Sequence, residues 1–295
     1  MKPKIINFGS MNIDYVYSVG HIPGPGETVA AVSNHNFAGG KGLNQSIALA
    51  RASAGGIEVV HAGMVGTDGG FLVDMLRTEG VDVSDIEISP IRTGHAIIQV
   101  DKSGQNCITV CGGANRTLTV EYVDSVYARR PDASMALVQN ETNLAPYILK
   151  KAAIHGMKTV LNPSPMDDGV DEELLGLASI VIINEHEGAQ ITCRDDPDEI
   201  LRYMAANYPK AVTVLTLGER GSWLQYSGVR FFQEAYKVPV VDTTAAGDTF
   251  TGYLLAGILL GESYTDAMNA AARAAALAVA AKGAAASIPR VEKLN

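Results

Sequence analysis

Short apolar runs alternate with helical patterns along most of this chain. Runs at 5–8, 59–64, 135–138, 159–161, 180–183 and 212–217 read as buried strands. Helical patterns lie between several of them, at 43–52, 71–77, 144–155 and 200–208. Two longer ones follow at 247–260 and 264–281, the second rich in alanine. This alternation predicts βαβ units and a three-layer α/β/α fold with a mostly parallel central sheet. Two segments break the rhythm. Residues 14–37 carry Pro23, Gly24, Pro25 and Gly26 between extended stretches at 15–19 and 27–32. Residues 93–111 read as strand, turn, strand, with Asp101-Lys102-Ser103-Gly104 as a tight hairpin turn. Together they predict a small antiparallel β-sheet that stands over the strand ends as a lid. The expected organisation is one α/β domain of residues 1–13, 38–92 and 112–295, with the lid inserted as 14–37 and 93–111.

Composition narrows the function. The 295 residues include 23 basic and 32 acidic side chains, a net charge of −9. That balance argues against a nucleic-acid binder and against adsorption on an anionic membrane. An anionic ligand must then be held by local features. Apolar residues make up 47% and charged residues 19%, which places the chain among globular proteins. Cys107, Cys111 and Cys193 form no disulfide framework and no zinc set, and they read as buried or half-buried thiols in a reducing cytoplasm. The N-terminus has no apolar stretch of signal-peptide length. The longest apolar runs, such as 253–260, fall short of a membrane span.

The 30 glycines are partly clustered, and the clusters carry the candidate chemistry. Asp242-Thr243-Thr244-Ala245-Ala246-Gly247-Asp248-Thr249-Phe250 follows a strand-like run at 238–241 and opens a helix. Small residues at a helix start leave N–H groups uncovered, and these with the helix dipole form an anion site. Asp248 in that first turn is placed to take a proton from a hydroxyl attacking a phosphoryl group. The same spacing also fits an Asp that caps a helix whose small residues aid packing.

Ala38-Gly39-Gly40-Lys41-Gly42-Leu43-Asn44-Gln45 is a second glycine-bearing helix start, without P-loop spacing. Lys41 and Asn44 share one face of its first turn. Asn12 and Asp14 occupy alternate positions after the first strand and so share a face. Glu141, Asn184 with Glu187, and Thr216-Leu217-Gly218-Glu219-Arg220-Gly221 each follow a strand, where open parallel sheets bind ligands. Each also has an ordinary reading as a helix cap or turn. Asp68 is expected to cap the helix at 71–77, and Trp223 to pack beside the turn at Gly221.

Taken in order, these blocks resemble the ribokinase-like (PfkB) carbohydrate kinases. The resemblance runs through Gly9-Ser10-Met11-Asn12-Ile13-Asp14, Pro25-Gly26-Glu27-Thr28, Gly39 to Gln45, Gly63-Met64-Val65-Gly66-Thr67-Asp68, the Asn184 and Glu187 pair, and Asp242 to Phe250. It implies ATP-dependent phosphorylation of a sugar primary hydroxyl, with D-ribose to D-ribose 5-phosphate as the leading reaction. Asn12, Asp14, Gly40, Lys41, Asn44 and Glu141 would hold sugar hydroxyls. Asp248 would be the base, and Ala245, Ala246 and Gly247 the anion hole. Thr216, Gly218, Glu219 and Gly221 would lie along the nucleotide, while Asn184 and Glu187 would organise the phosphates of Mg-ATP. A K+ site would use Asp242, Thr244 and Ser287 with the carbonyls of Ala278, Ala281 and Gly283. Ala272 stands where the family often has a polar residue near the adenine. A cytoplasmic homodimer joined through the lid is a further implication. The alternatives are a sister kinase for deoxyribose, fructose, ketodeoxygluconate or pseudouridine, and a sugar-binding regulator without catalysis.

Overall fold

The computed structural model describes residues 2–167 and 169–294. The expected domain limits at 1 and 295 fall outside them. The strands are β1 (Lys4–Phe8), β2 (Asn12–Ser18), β3 (Ser33–Gly39), β4 (Glu58–Val65), β5 (Asp82–Ile88), β6 (Gly94–Val100), β7 (Asn106–Cys111), β8 (Met135–Gln139), β9 (Lys158–Asn162), β10 (Ile180–Asn184), β11 (Val212–Thr216), β12 (Ser222–Tyr226) and β13 (Val229–Gln233). The helices are α1 (Lys41–Ser53), α2 (Gly70–Thr78), α3 (Val120–Arg129), α4 (Ala145–Ile154), α5 (Glu172–Gly176), α6 (Glu185–Thr192), α7 (Pro197–Asn207), α8 (Ala246–Leu260) and α9 (Tyr264–Val279).

Nine strands form one sheet in the order β13-β12-β11-β10-β9-β8-β1-β4-β5. It is parallel from β11 to β5, with β12 and β13 antiparallel at one edge. Successive strand residues point to opposite faces. Ile5, Leu137 and Ile182 therefore pack against α1, α2, α8 and α9, whereas Ile6, Val138 and Val181 pack against the layer that includes α3, α4 and α7. This is the three-layer architecture the alternation predicts. The chain leaves β1 towards β4 and β5, then returns to β8 on the other side of β1. Such a reversal opens a crevice at the carboxyl ends of the two strands.

The separate four-stranded sheet has the order β3-β2-β6-β7. Its outer pairs are antiparallel, but its central pair, β2 with β6, is parallel, so the expectation of a purely antiparallel sheet is corrected. The turn at Asp101 to Gly104 forms as expected, with Gly104 N donating to Asp101 O at 3.0 Å and Gly104 in the left-handed region. The stretch 27–32 is no strand; pairing starts one residue later, where Ser33 meets Ser18.

Three other expectations are corrected. Residues 238–241 do not form a strand. Val240 and Val241 are exposed, and Val241 N and Asp242 N donate to the Val279 carbonyl at the end of α9 instead of to a neighbouring strand. Asp68 does not cap α2, which makes no side-chain cap hydrogen bond. Its carboxylate accepts from Thr93 N at 3.0 Å, Thr93 Oγ1 at 2.6 Å and Arg92 Nε at 3.3 Å, and these bonds hold it down to about 2. Asp68 thus ties the entry of α2 to the start of β6. The three thiols are exposed, two on the outer strand β7 and Cys193 at the end of α6. Trp223 packs on Phe232 across β12 and β13, with ring centroids 4.7 Å apart.

Candidate active site

The start of α1 sits directly on the end of β1. A Cβ at Gly42 would collide with the backbone of Gly9 and Ser10, so only glycine allows this approach. Gly40, at φ 97°, turns the chain into the helix. Glu141, just beyond β8, reaches across the crevice. Its Oε2 accepts from Lys41 N at 2.9 Å and from the Ser10 hydroxyl, while Gly42 N donates to Ser10 Oγ at 3.2 Å. The carboxylate thereby meets the positive end of α1.

Asp14 projects from β2 into the same crevice. Its carboxyl fills the place a Cβ at Gly39 would take. Burial, reinforced by the charge of Glu141, pushes Asp14 up to about 7. Lys41 faces Asp248, Glu141 and Glu187; burial works against its charge, but the three carboxylates outweigh burial and raise its pKa. Asn12 is buried, and its orientation is fixed. Asn115 Oδ1 accepts from Met11 N at 3.0 Å, so Asn115 Nδ2 donates to Asn12 Oδ1 at 2.7 Å. The Asn12 amide nitrogen is left as the free end.

Asp248 lies in the first turn of α8, 7% exposed. Ala245, at φ 60°, forms the sharp entry, and its carbonyl accepts from Thr249 N and Thr249 Oγ1, both at 2.8 Å. A Cβ added at Gly247 would meet nothing within 4 Å, so space is open above the helix start. Asn44 Nδ2 donates to Asp248 Oδ2 at 3.0 Å and Gln45 Nε2 to Oδ1 at 2.9 Å. Asn44 Oδ1 is buried beside them without a partner among the described residues. Gly252 makes these bonds possible, because a Cβ there would collide with Ala48. The two helices therefore approach closely one turn away.

A cleft of about 720 Å³ runs outward from Ala246 and Gly247. Thr216, Gly218, Glu219 and Gly221 line one wall, and Phe250 and the alanines 272, 275 and 276 line another. Gly218 and Gly221 both hold positive φ. Asn184 and Glu187 form a reciprocal capping box on α6, with Glu187 N donating to Asn184 Oδ1 at 2.9 Å and Asn184 N to Glu187 Oε2 at 3.0 Å. Glu187 Oε1 accepts no hydrogen bond among the described residues.

The loop after 241 is tied to the loop after α9. Asp242 accepts from Thr244 N at 2.9 Å, Thr244 Oγ1 at 2.6 Å and Gly283 N at 3.0 Å. Burial acts to raise Asp242, yet these bonds and the Lys282 charge hold it below the usual carboxylate range. Asp242, Thr244 and Gly283 therefore meet. The Ser287 hydroxyl instead donates to Ala284 O at 2.9 Å, and the Ala278 carbonyl accepts from Ala281 N at 3.0 Å.

Ser10, Gln45, Asn115, Gln139 and Asn162 had no role in the sequence reading. The available signal was polar residues inside or ending buried strands, as at Asn7, Gln139 and Asn162.

Comparison with known proteins now adds to this geometry. The pfkB family carbohydrate kinase model matches residues 2–291. A ribokinase of Staphylococcus aureus (strain COL) is 35% identical, over 100% of this chain and 99% of that protein. The Arabidopsis thaliana ribokinase solved with ribose and ATP is 28% identical, with a TM-score of 0.89 over 99% of this chain and 97% of that one. The Thermotoga maritima ribokinase is 28% identical, with a TM-score of 0.89 over 100% and 98%. A family match over nearly the whole length, on a fold whose strand reversal gathers Asn12, Asp14, Lys41, Asn44 and Asp248, makes this chain a member of the pfkB family of carbohydrate kinases.

Proposed function

We propose that this kinase transfers the γ-phosphate of ATP to the primary hydroxyl of D-ribose, giving D-ribose 5-phosphate and ADP. The observation that carries the proposal is a buried carboxylate, Asp248, in the first turn of a helix with open space above Gly247. Asp248 takes the hydroxyl proton as the oxygen attacks the γ-phosphorus and the bond to ADP breaks. The N–H groups at Ala245, Ala246 and Gly247 stabilise the charge on the phosphoryl group, that of Ala246 by giving up its long 3.3 Å bond to the Thr243 carbonyl. Asn12, Asp14, Gly40, Lys41, Asn44 and Glu141 hold the sugar. Asn44 Oδ1, buried and unpartnered, suits a sugar hydroxyl donor. The free Asn12 amide nitrogen suits a hydroxyl acceptor, which favours ribose over a deoxy-sugar. Relatives named ribokinase along the whole chain agree with this substrate.

Thr216, Gly218, Glu219 and Gly221 lie along the nucleotide. Asn184 and Glu187 organise its phosphates, and the free Glu187 oxygen fits a hydrated magnesium ion. Bound Mg2+ supplies charge neutralisation on the phosphate oxygens. The K+ site would draw on Asp242, Thr244, Ser287 and the carbonyls of Ala278, Ala281 and Gly283, oxygen ligands that suit K+ rather than a soft metal, and Asp242, Thr244 and Gly283 already meet. Segments 14–37 and 93–111 act as the lid on the α/β domain. Phe37, Ile108 and Val110, exposed on the face of the small sheet that carries Asp14, pair two copies. We place the enzyme in the cytoplasm; among the described residues no helix is long and apolar enough to cross a membrane.

The test is an ADP-release assay over pentoses, hexoses and nucleosides, with and without potassium. Ribose should give the highest kcat/KM, with potassium raising it. A higher value for deoxyribose, fructose, ketodeoxygluconate or pseudouridine overturns the substrate. No ADP release with any acceptor overturns catalysis and leaves a binding protein.

A further inference from the structure

A chain of buried amides reaches Asp248 from behind the proposed sugar pocket. Gln45 is 0% exposed, so no ligand in the crevice touches it. Its Nε2 donates to Asp248 Oδ1 and to Asn162 Oδ1, both at 2.9 Å. Its Oε1 accepts from Gln139 Nε2 at 2.7 Å. Gln139 Nε2 also donates to Asn7 Oδ1 at 2.9 Å, and Asn7 Nδ2 donates to the Gly42 carbonyl and to Ser46 Oγ, each at 2.8 Å.

A carboxamide has one donor end and one acceptor end, so each member dictates the next. The Gly42 carbonyl only accepts, so Asn7 must turn its nitrogen to it and its oxygen to Gln139. Gln139 must then present its nitrogen to Asn7, and that nitrogen also meets Gln45. Gln45 is left with its own nitrogen towards Asp248. The opposite end gives the same answer. Asn162 Nδ2 donates to the Ile182 carbonyl at 2.9 Å, so Asn162 offers an oxygen to Gln45.

The branch through Ser46 agrees. Burial pushes His61 down to about 4, so the ring is neutral near pH 7. Its Nε2 faces the Gly9 carbonyl at 3.1 Å and carries the proton. Nδ1 therefore accepts from Ser46 at 2.8 Å, and Ser46 has only a lone pair for Asn7. Gln139 Oε1 stays buried and unpartnered. Turning Gln139 round would instead bring its oxygen against those of Asn7 and Gln45. Three backbone carbonyls, of Gly9, Gly42 and Ile182, thus fix a donor at one oxygen of Asp248.

We propose that Gln45 is a positioning residue for phosphoryl transfer, holding Asp248 in one rotamer and one carboxylate plane through Oδ1. The role rests on Asp248 being the base. Gln45 acts through Asp248 alone, so it should govern turnover and leave ligand binding intact.

The decisive variant is Gln45→Met, similar in length but without a donor. In the ADP-release assay kcat should fall about 10²-fold, the effect of misplacing a reacting group by about 1 Å. KM for ribose and for ATP should stay within about threefold, and calorimetry should still show ribose binding. A folded Q45M with kcat within about threefold of wild type overturns the proposal, as does a change confined to KM. If Q45M gives no cooperative melt, Q45E decides instead, because it keeps the shape and the acceptor for Gln139. Its kcat should fall with KM retained and recover in part at lower pH, where the new carboxyl can donate again. Unchanged kcat in Q45E overturns the proposal. D248N is run alongside. If it keeps turnover, the base assignment fails and this inference with it. An inactive D248N beside an active Q45M sinks the Gln45 role alone.

Discussion

Around α1 and the end of β1 the crevice is made of side chains locked to one another, whereas around the start of α8 and the β11–β12 turn it is made of backbone. On the first side Glu141, Ser10, Asn12 and Asn44 are each held in one orientation by a protein partner, which leaves the Asn12 nitrogen and the Asn44 oxygen for a ligand, and Asp14 fills the space above Gly39. On the second side Gly218, Gly221, Ala246, Gly247 and a row of alanines leave a cleft of about 720 Å³. The difference follows from the ligands proposed for each. A sugar offers hydroxyls that must be told apart by direction, which needs fixed donors and acceptors. A triphosphate offers charge, which N–H groups and a helix dipole meet without side chains. A chain of net charge −9 can bind ATP on these terms, because the attraction is local.

The largest effect that bears on this contrast is expected at the point where the two sides meet. Asp248→Asn should lower kcat by about 10²–10⁴-fold, the usual worth of a general base. The locked side adds a second consequence. Asn44 and Gln45 each aim an N–H at one carboxylate oxygen, so the new amide nitrogen must face a donor whichever way it turns. A melting experiment should therefore show a loss of about 1–3 kcal/mol. A D248N protein as stable as wild type would mean the two amides are free to turn, against the locked picture. Near-normal turnover would remove Asp248 as the base.

Gly39→Ala attacks the locked side alone. Its methyl would overlap the Asp14 carboxyl, so Asp14 must move. KM for the sugar should rise about 10- to 100-fold, the loss of one charge-assisted hydrogen bond, while KM for ATP stays put. Equal changes in both would show that the two sides are not separable.

Gly247→Ala attacks the open side alone. Nothing lies within 4 Å of the added Cβ, and Gly247 has ordinary helical backbone, so the fold should be unharmed. Alanine should even steady the helix by up to about 1 kcal/mol. The methyl does, however, enter the proposed phosphate space. KM for ATP should rise about tenfold with the melting temperature equal or higher, and with the sugar KM unchanged. A variant with wild-type ATP kinetics would mean the phosphates do not approach this N–H group.

The two sides also differ in how far the sequence exposes them. The helix starts at 39–42 and 245–247 are readable as clusters of small residues ahead of a helical pattern, even though no strand precedes the second. The strands buried on both faces are readable for a similar reason, as continuous apolar runs. The edge strands β5 and β13 were not, since DVSDIEI and VRFFQ mix charge with apolar positions. The helix α6 has no clear apolar periodicity, and only the helix-cap reading of Asn184 and Glu187, which the capping box bears out, points to it. The amide network was invisible for a deeper reason. Its amides at Asn7, Gln45, Gln139 and Asn162 bond to groups 20 to 203 residues away, and an amide has no preferred direction until its partners are known. The Asp68 cap failed likewise, because Thr93 lies 25 residues on and outcompetes the helix end.

The smallest effect concerns Asp14 and is a matter of pH. Burial, with the Glu141 charge, holds Asp14 at about 7 in the fold against 3.8 ordinarily. Between those values the folded protein binds a proton that the unfolded chain has released. Its contribution to stability is therefore complete below about pH 4, declines as pH rises, and is gone above about pH 7. The sugar reads the same group with the opposite sign. A hydroxyl donating to Asp14 favours the carboxylate, so ribose binding should release a proton, and KM for ribose should fall as pH rises from about 6 to about 8. The slope can reach at most tenfold per unit, and the integrated change should be a few-fold. Asp14→Asn should flatten this dependence and leave the ATP side untouched. A KM for ribose that is flat with pH in the wild type, or equally steep in D14N, would mean the proton belongs to another group and that Asp14 meets the sugar in its acid form.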